Sequence, residues 1–210
     1  MGKSAQAYGE NSMKIVLASK SPRRKEILEN LGMKFDIVVA DADESCDIAE
    51  PCARVSALAA VKGRAVKGML DTKGKGDDTL IIACDTLVYA EGEFLGKPRD
   101  KEDARRMMGL LSGKAHSVVS GLYLCLGDKE FMGAEETKVI FDEMTDDEIE
   151  SYISSDEPYD KAGGYAVQGL ASLHVKGLEG DYFNVVGLPV NLLYNTLKKE
   201  FCIDFALLKG

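Results

Sequence analysis

Apolar residues recur at intervals of three and four along several stretches of the chain, which is the period of an amphipathic helix. The longest such stretch opens at Pro51 and continues to Met69. Capping residues precede most of these stretches and glycines follow several of them, which marks their ends. The helices predicted on this basis span residues 22–31, 51–69, 100–111, 145–154 and 189–200.

Short apolar runs between charged and glycine-rich segments predict the strands. They span residues 14–18, 35–39, 80–83, 118–126, 131–141 and 183–186, with a hairpin over 87–95 that turns at Glu91-Gly92. Because some strands are joined by helices and others by hairpins, the pattern indicates an α/β fold with a mixed sheet. Residues 13–210 are expected to form one domain, and the polar residues 1–12 a flexible leader.

Composition narrows the class of protein. The 210 residues are 45% hydrophobic, enough for a substantial core, and carry a net charge of −9 with a pI near 4.9. An acidic chain is a poor match for nucleic-acid backbones, so any phosphate site must be a local basic cluster. No apolar run reaches the roughly 20 residues of a membrane span, and no apolar segment follows a basic start. We therefore expect a cytoplasmic protein without nucleic-acid or membrane partners.

Cysteine and histidine usage removes further classes of site. The five cysteines contain no Cys-x-x-Cys pair, which argues against a disulfide scaffold and a zinc ribbon. The only two histidines are His116 and His174, too few for a histidine-rich metal centre. Any catalysis must therefore depend on carboxylates and cationic side chains.

The first candidate site lies where the first strand meets the first helix. Ser19, Ser21, Arg23 and Arg24 supply two hydroxyls and two guanidinium groups beside free backbone N–H groups. A helix N-terminus with such neighbours is typical of a phosphate site. The alternative is an ordinary capped helix with exposed arginines.

The second candidate is a pair of carboxylates, each expected just after a strand. Asp85 follows the apolar run 80–83 and is followed by Thr86, and Glu44 lies in the loop after residues 35–39. Asp85 is a candidate general base, and the two carboxylates together are candidate ligands for Mg²⁺ or Mn²⁺ beside substrate phosphates. The alternative for Asp85 is a turn or a cap.

Two lysines and one glutamine complete the candidate set. Lys97 lies near the predicted end of an element and Lys62 within the predicted helix 51–69, and for both the alternative is a solvated surface lysine. Gln168 lies in the glycine-rich segment 160–169, and its amide has the donor and acceptor needed to face a pyrimidine edge. The alternative for Gln168 is a flexible loop.

In this order, these segments resemble the Maf family of nucleoside triphosphate pyrophosphatases. The resemblance covers residues 13–201. It rests on LASKSPRR at 17–24, DE at 43–44, DT at 85–86, GKPR at 96–99, LSG at 111–113, DKAGGYAVQG at 160–169 and NVVGLP at 184–189. Each segment is short, but seven in the family's order are specific.

The resemblance implies a long, curved, mixed β-sheet with flanking helices, two lobes around a cleft, and a homodimer. It also implies metal-dependent hydrolysis of a nucleoside triphosphate to the monophosphate and pyrophosphate. Arg23, Thr86 and Gln168 match the branch that acts on dTTP, UTP and modified pyrimidine nucleotides.

The residues expected to act in this reaction fall into three groups. The catalytic group is Asp85, Lys62, Lys97 and Arg24. The substrate-binding group is Ser19, Ser21, Arg23, Arg24, Thr86 and Gln168. The metal-binding group is Glu44 and Asp85.

Three positions depart from the family's commonest pattern: Gly96 replaces glutamate, Cys84 replaces alanine, and Gly63 follows Lys62 where alanine is usual. Two other functions stay open. One is a non-enzymatic regulator of septum formation and cell division that acts by partner binding. The other is a different phosphohydrolase, such as one for purine triphosphates or dinucleotides. An exposed apolar patch with an unreactive cleft would indicate the regulator.

Overall fold

The structure is a computed structural model and describes residues 13–208. The predicted leader, residues 1–12, lies outside the described residues. The strands are β1 (Lys14–Leu17), β2 (Asp36–Ile37), β3 (Thr79–Ala90), β4 (Glu93–Leu95), β5 (Ala115–Leu126), β6 (Lys129–Phe141) and β7 (Val175–Glu179). The helices are α1 (Pro22–Asn30), α2 (Pro51–Asp71), α3 (Lys101–Leu111), α4 (Asp146–Ile153), α5 (Tyr182–Val186) and α6 (Val190–Lys199).

Six strands follow one another in the order β2-β1-β3-β5-β6-β7, and β4 pairs with β3 at its far end. β1 is parallel to both β2 and β3, whereas β4, β5, β6 and β7 pair in antiparallel fashion. The predicted mixed α/β fold is therefore confirmed.

One edge of β3 changes partner along its length. β1 pairs with residues Thr79 to Ile82, and β4 pairs with residues Val88 to Ala90. The residues between them, 83–87, meet no described strand on this edge, although β5 pairs with them on the other. A gap therefore opens in the sheet where Asp85 and Thr86 lie.

Alternation along β3 sends neighbouring side chains to opposite faces. Ile81 and Ala83 join the core beneath α2, and Leu80, Ile82 and Cys84 join the core that α6 covers. Helix α2 approaches the sheet closely, because a Cβ at Gly121 would collide with the Val55 backbone and one at Gly63 with the Tyr123 ring. That contact explains why glycine follows Lys62.

Helix predictions were confirmed to within a few residues, and the Thr145 capping box with Glu148 is present. The predicted strand over 183–186 was wrong, because Asp181 accepts a hydrogen bond from the Phe183 N–H and starts helix α5 there. The predicted strand over 35–39 shrinks to Asp36–Ile37.

The prediction that Asp85 lies just after the end of a strand was wrong. Strand β3 runs without a break from Thr79 to Ala90 and turns into β4 at Glu91-Gly92. What ends near Asp85 is the neighbouring strand β1. No helix within residues 13–208 has the length and apolar content to cross a bilayer.

Candidate active site

A cleft of about 650 Å³ lies at the gap in the sheet. Its walls come from the β1–α1 loop, the gap residues of β3, the loop after β4 and the glycine-rich segment before β7. The ten residues singled out from the sequence all line it: Ser19, Ser21, Arg23, Arg24, Glu44, Lys62, Asp85, Thr86, Lys97 and Gln168. Their convergence is observed, and their individual roles remain predictions.

Lys62, on α2, connects the two carboxylates. Its Nζ lies 2.6 Å from Asp85 Oδ1 and 2.9 Å from Glu44 Oε2. Asp85 is buried on β3, whereas Glu44 reaches in from the exposed loop between β2 and α2. Burial of the Lys62 ammonium opposes its charge, but attraction by Asp85 and then Glu44 outweighs it and raises the pKa of Lys62 above its usual value.

The same pair suits a divalent cation by its chemistry. Both carboxylates face a position where positive charge is already held, namely the Lys62 ammonium. Residues 13–208 contain no cluster of three or more His, Cys, Asp or Glu that could hold a metal on its own. Mg²⁺ commonly takes one or two carboxylates and completes its shell with substrate phosphates and water, so the pair fits that mode.

Arg24 fastens the first helix to the floor of the cleft. Its Nε donates to the Gly187 carbonyl at 2.8 Å, and its two terminal nitrogens donate to Ser19 Oγ and Thr86 Oγ1 at 3.0 Å each. Its planar, forked guanidinium makes three directed bonds at once. Arg24 therefore holds Ser19 and Thr86 at fixed positions facing the cleft.

Behind Thr86 the hydrogen bonds continue into the core. Thr86 Oγ1 lies 2.8 Å from Ser120 Oγ, and Ser120 Oγ donates to the Asn184 carbonyl at 3.1 Å. A hydroxyl has one proton to donate, so with Ser120 engaged in this way Thr86 donates either to Ser120 or to the Gly187 carbonyl, which lies 3.4 Å away. The Asn184 side chain donates to the Val118 carbonyl and to Thr137 Oγ1. Ser120, Asn184 and Thr137 are wholly buried.

Arg23 lies at the rim of the cleft, beside the start of the glycine-rich segment. Its guanidinium is 3.6 Å from Asp160 Oδ2, and Asp160 also pairs with Lys161. Desolvation raises the pKa of Asp160, but these cationic partners outweigh it and leave the pKa below its usual value. Arg23 is a half-buried cation whose partner an incoming anion can replace.

Lys97 and Gln168 face the cleft without such partners. Both are exposed, and neither forms an ion pair or side-chain hydrogen bond with residues 13–208. The Gly163 N–H donates to the Gly96 carbonyl at 2.9 Å, which joins the Lys97 loop to the glycine-rich segment that carries Gln168. Gly163 has φ of 70° and lies against Val88, so this close approach requires glycine.

Of the departures at Gly96 and Cys84, only the one at Cys84 has a local contact that explains it. A Cβ at Gly96 would meet no atom within 4 Å, so packing does not require glycine there. Burial raises the pKa of the Cys84 thiol, which donates to the Gly187 carbonyl at 3.3 Å. The Cys84 side chain therefore adds a second contact to the carbonyl that Arg24 holds.

The cleft lining has the opposite charge balance from the chain as a whole. Six of the lining side chains are cationic and four are acidic, whereas the chain carries −9. The cationic side chains are Lys20, Arg23, Arg24, Lys62, Lys97 and Lys161. This excess agrees with the local basic cluster expected for a phosphate ligand.

An aromatic cluster closes the cleft on the side of the glycine-rich segment. Tyr165 lines the cleft, and its hydroxyl lies 2.6 Å from Nε2 of the buried His116, which also packs against Phe141. Burial lowers the pKa of His116 to about 4 and raises the pKa of Tyr165. This wall is therefore neutral at physiological pH.

Sequence reasoning missed the residues that hold the site together. Ser120, Asn184 and Gly187 anchor Thr86 and Arg24, and Asp160 and Lys161 pair around Arg23. Asn184, Gly187, Asp160 and Lys161 lie within the segments that carried the resemblance, which is a usable signal. For Ser120, a small polar residue inside an apolar strand is the only signal.

Comparisons with known proteins agree with this picture. A family model described as Maf-like protein matches residues 14–200. A relative from Bacillus cereus (strain ATCC 10987 / NRS 248) is 44% identical, with 93% of this chain and 94% of the relative covered. One from Caldanaerobacter subterraneus subsp. tengcongensis is 47% identical, with 92% of each covered. Both are named dTTP/UTP pyrophosphatase, which is the name of an enzyme and not of a cell-division regulator.

Among solved structures, the Staphylococcus aureus Ham1 protein matches with a TM-score of 0.52 at 13% identity, covering 89% of this chain and 99% of that one. At this identity the likeness shows a shared fold and nothing about substrate. The family model matches most of this chain, and the two relatives align with this chain over nearly their full length. This chain belongs to the Maf family.

Proposed function

We propose that this protein hydrolyses dTTP, UTP and modified pyrimidine nucleoside triphosphates to the monophosphate and pyrophosphate, and so clears non-standard nucleotides from the cell. The observation that carries the proposal is the buried Asp85 carboxylate, held by Lys62 within a cleft lined by six cationic side chains. Relatives with 43–47% identity are named dTTP/UTP pyrophosphatase, which supports the dTTP and UTP part of the proposal.

In this reaction a water oxygen attacks the α-phosphorus, and the bond from that phosphorus to the bridging oxygen breaks. The water loses a proton, and pyrophosphate leaves with the bridging oxygen. Negative charge grows on the phosphoryl oxygens and on the leaving group, so fixed cations and hydrogen-bond donors stabilise the transition state.

Asp85 is the proposed general base. Lys62 engages its Oδ1, and no hydrogen bond from residues 13–208 reaches its Oδ2, which is available to accept the proton of a water molecule. Lys62 and Lys97 face the triphosphate from α2 and from the loop after β4. Ser19, Ser21 and Arg23 supply donors at the start of α1.

Glu44 and Asp85 are the proposed ligands of Mg²⁺ or Mn²⁺. A divalent cation bound there would neutralise phosphate charge and polarise water. The donor set supports this proposal, because both are hard carboxylate oxygens that already face a cation.

Gln168 is the proposed reader of the base. Its amide is exposed in the cleft and makes no hydrogen bond with residues 13–208, so its donor and its acceptor are both available. A uracil or thymine edge offers an acceptor oxygen beside a donor N–H, which one amide can match. Arg24 and Thr86 complete the binding surface on the opposite wall.

Pyrophosphate release from a panel of canonical and base-modified nucleoside triphosphates tests the proposal. Each nucleotide is assayed without metal, with Mg²⁺ and with Mn²⁺, and wild type is compared with Asp85→Asn and Gln168→Glu. We expect metal-dependent release from dTTP and UTP, loss of that release in Asp85→Asn, and loss of pyrimidine preference in Gln168→Glu. No release from any nucleotide, or a preference for purine triphosphates, would overturn it.

We further propose a homodimer in the cytoplasm. Both points rest on the family resemblance and on the proposed substrates, which are cytoplasmic metabolites. Light scattering coupled to size-exclusion chromatography tests the dimer, and a mass equal to the 22.8 kDa of one chain would contradict it. Cell fractionation tests the location.

A further inference from the structure

One ammonium group lies between the two carboxylates proposed to bind metal. Lys62 Nζ is 2.6 Å from Asp85 Oδ1 and 2.9 Å from Glu44 Oε2. These are the lengths of strong, charge-assisted hydrogen bonds, and they occupy one oxygen of each carboxylate. The chain itself therefore supplies the positive charge at this position.

The surroundings of Lys62 fix the ammonium there. Its side chain is 22% exposed and that of Asp85 is 11% exposed, so both partners lie largely out of water. The adjacent Gly63 lets α2 rest directly on the Tyr123 ring, where a Cβ would collide. Among residues 13–208, Asp85 and Glu44 are the acceptors that the Lys62 ammonium contacts, and its low exposure limits its freedom to turn into solvent.

We propose that the Lys62 ammonium occupies the cation position of the free enzyme and suppresses metal binding until a triphosphate arrives. A divalent cation bound to Asp85 and Glu44 would lie beside the ammonium, and like charges at short range in a half-buried site repel strongly. The inference rests on the proposed function, since it takes this carboxylate pair as the metal site.

A triphosphate changes the balance because it brings about four negative charges into the cleft. Its oxygens offer the Lys62 ammonium new acceptors, which frees the carboxylate oxygens for a metal that the same phosphates help to hold. Metal therefore enters with the nucleotide and not before it. With this order, the polarisation of water that a metal would supply would be confined to the substrate-bound cleft.

Lys97 provides a matched control. It lines the same cleft and carries the same charge, but it forms no ion pair with residues 13–208. Its removal changes the charge of the cleft by the same amount without freeing either carboxylate. A general electrostatic effect would appear in both lysine variants, and the proposed displacement in Lys62 variants alone.

Titration of the nucleotide-free protein with Mn²⁺, followed by electron paramagnetic resonance, tests the proposal. We compare wild type with Lys62→Gln, Lys62→Met, Lys62→Arg and Lys97→Gln. Both neutral Lys62 variants are expected to bind Mn²⁺ at least about tenfold more tightly than wild type. Lys62→Arg and Lys97→Gln are expected to stay within about twofold of it. In parallel, millimolar Mg²⁺ should raise the Tm of Lys62→Gln more than that of wild type.

Neutral Lys62 variants that bind Mn²⁺ no more tightly than wild type would overturn the proposal, as would an equal gain in Lys97→Gln. Micromolar binding of Mn²⁺ by nucleotide-free wild type would overturn it as well, and that arm needs no folded variant. Pyrophosphate release is measured separately. A gain in Mn²⁺ affinity without hydrolysis would refute the function but not the displacement, and metal-dependent hydrolysis without the gain would refute only the displacement.

Discussion

Asp85 and Thr86 are neighbours on β3, yet their side chains lie on opposite faces of the sheet and make opposite kinds of contact. Asp85 faces α2 and pairs with the charged Lys62, which also binds the exposed Glu44. Thr86 faces the other way, into the hydrogen bonds that join Arg24 to the buried Ser120. We call these the ionic face and the hydrogen-bonded face.

One strand, β3, therefore carries exchangeable ion pairs on one face and fixed hydrogen bonds on the other. The contacts of the ionic face join charged side chains at the edge of solvent. An incoming anion can replace a carboxylate there, and an incoming cation can replace the ammonium. Contacts of the hydrogen-bonded face end in wholly buried groups, Ser120 and Asn184, whose partners cannot be lost without leaving polar atoms unsatisfied. The first suits chemistry, and the second suits positioning.

The largest effect on turnover is expected from a substitution of Asp85, on the ionic face. Asp85→Asn keeps the shape of the side chain but removes the proposed base, so kcat should fall by about 100-fold or more, with a smaller change in KM. The matched control is Asp41→Asn, a carboxylate that lines the same cleft without an ion pair to residues 13–208. Steady-state kinetics of dTTP hydrolysis would contradict this assignment if both variants kept near-normal turnover.

A substitution of Arg24, at the cleft end of the hydrogen-bonded face, should have the next largest effect on activity. Arg24→Lys keeps the positive charge but cannot reach Gly187, Ser19 and Thr86 together, so kcat/KM should fall by about tenfold or more. Arg105→Lys, on α3 and outside the cleft lining, serves as control. Equal activity of Arg24→Lys and wild type would mean that charge alone matters at Arg24.

Breaking the buried end of the same face should affect stability more than turnover. Ser120→Ala removes the two hydrogen bonds of the Ser120 hydroxyl, with the Thr86 hydroxyl and with the Asn184 carbonyl, and should lower the free energy of unfolding by about 1–3 kcal/mol. Arg24 and the Gly187 N–H remain as partners of those two groups. We expect less than about tenfold loss in kcat/KM. Ser117→Ala, on the same strand but bonded to Glu136 at the surface, should stay within about 0.5 kcal/mol. Urea unfolding that ranks the two variants equally would contradict the role of Ser120.

The smallest effect on turnover at neutral pH is expected at His116, farther along the hydrogen-bonded face. Its folded pKa of about 4 lies below the ordinary 6.5, so only the unfolded chain binds a proton between these values. Its contribution to stability is present above pH 6.5 and is lost as pH falls towards 4, at about 1.4 kcal/mol per pH unit. His116→Phe should remove this part of the pH dependence of unfolding.

The surface histidine gives the comparison for that measurement. His174→Gln is the control, because His174 lies half-buried at the end of the turn 170–174, away from the His116–Tyr165 contact. Urea unfolding at several pH values between 4 and 7 distinguishes the variants. If wild type and His116→Phe lose stability in parallel over this range, protonation of His116 is not the cause of the acid loss.

The candidate residues could be found because their segments have local signatures, whereas their meeting in one cleft was implied by the family resemblance. Pro22 after Ser21 predicted the start of α1, and the glycines of 160–169 predicted a segment that approaches a ligand closely. Asp85 was assigned the wrong surroundings, because apolar patterning shows where a strand lies but not where its neighbour ends. The gap in the sheet depends on the short length of β1, and so on long-range pairing.

Long-range pairing also hid the anchors of the site. Ser120 reads as an ordinary member of a strand until β3 and β5 are in register and Thr86 lies opposite it. The segment 183–186 reads as a strand because Val185 and Val186 favour that state, and only the cap from Asp181 makes it a helix. The ion pair of Lys62 with Glu44 joins a helix to an irregular loop, which no periodicity predicts.

The most direct test of the central claim is hydrolysis of dTTP in water labelled with oxygen-18, with both products analysed by mass spectrometry. We expect one labelled oxygen in dTMP and none in pyrophosphate, because the proposed reaction is attack of water on the α-phosphorus. Label in pyrophosphate or in orthophosphate would place the attack on another phosphorus atom and would contradict it.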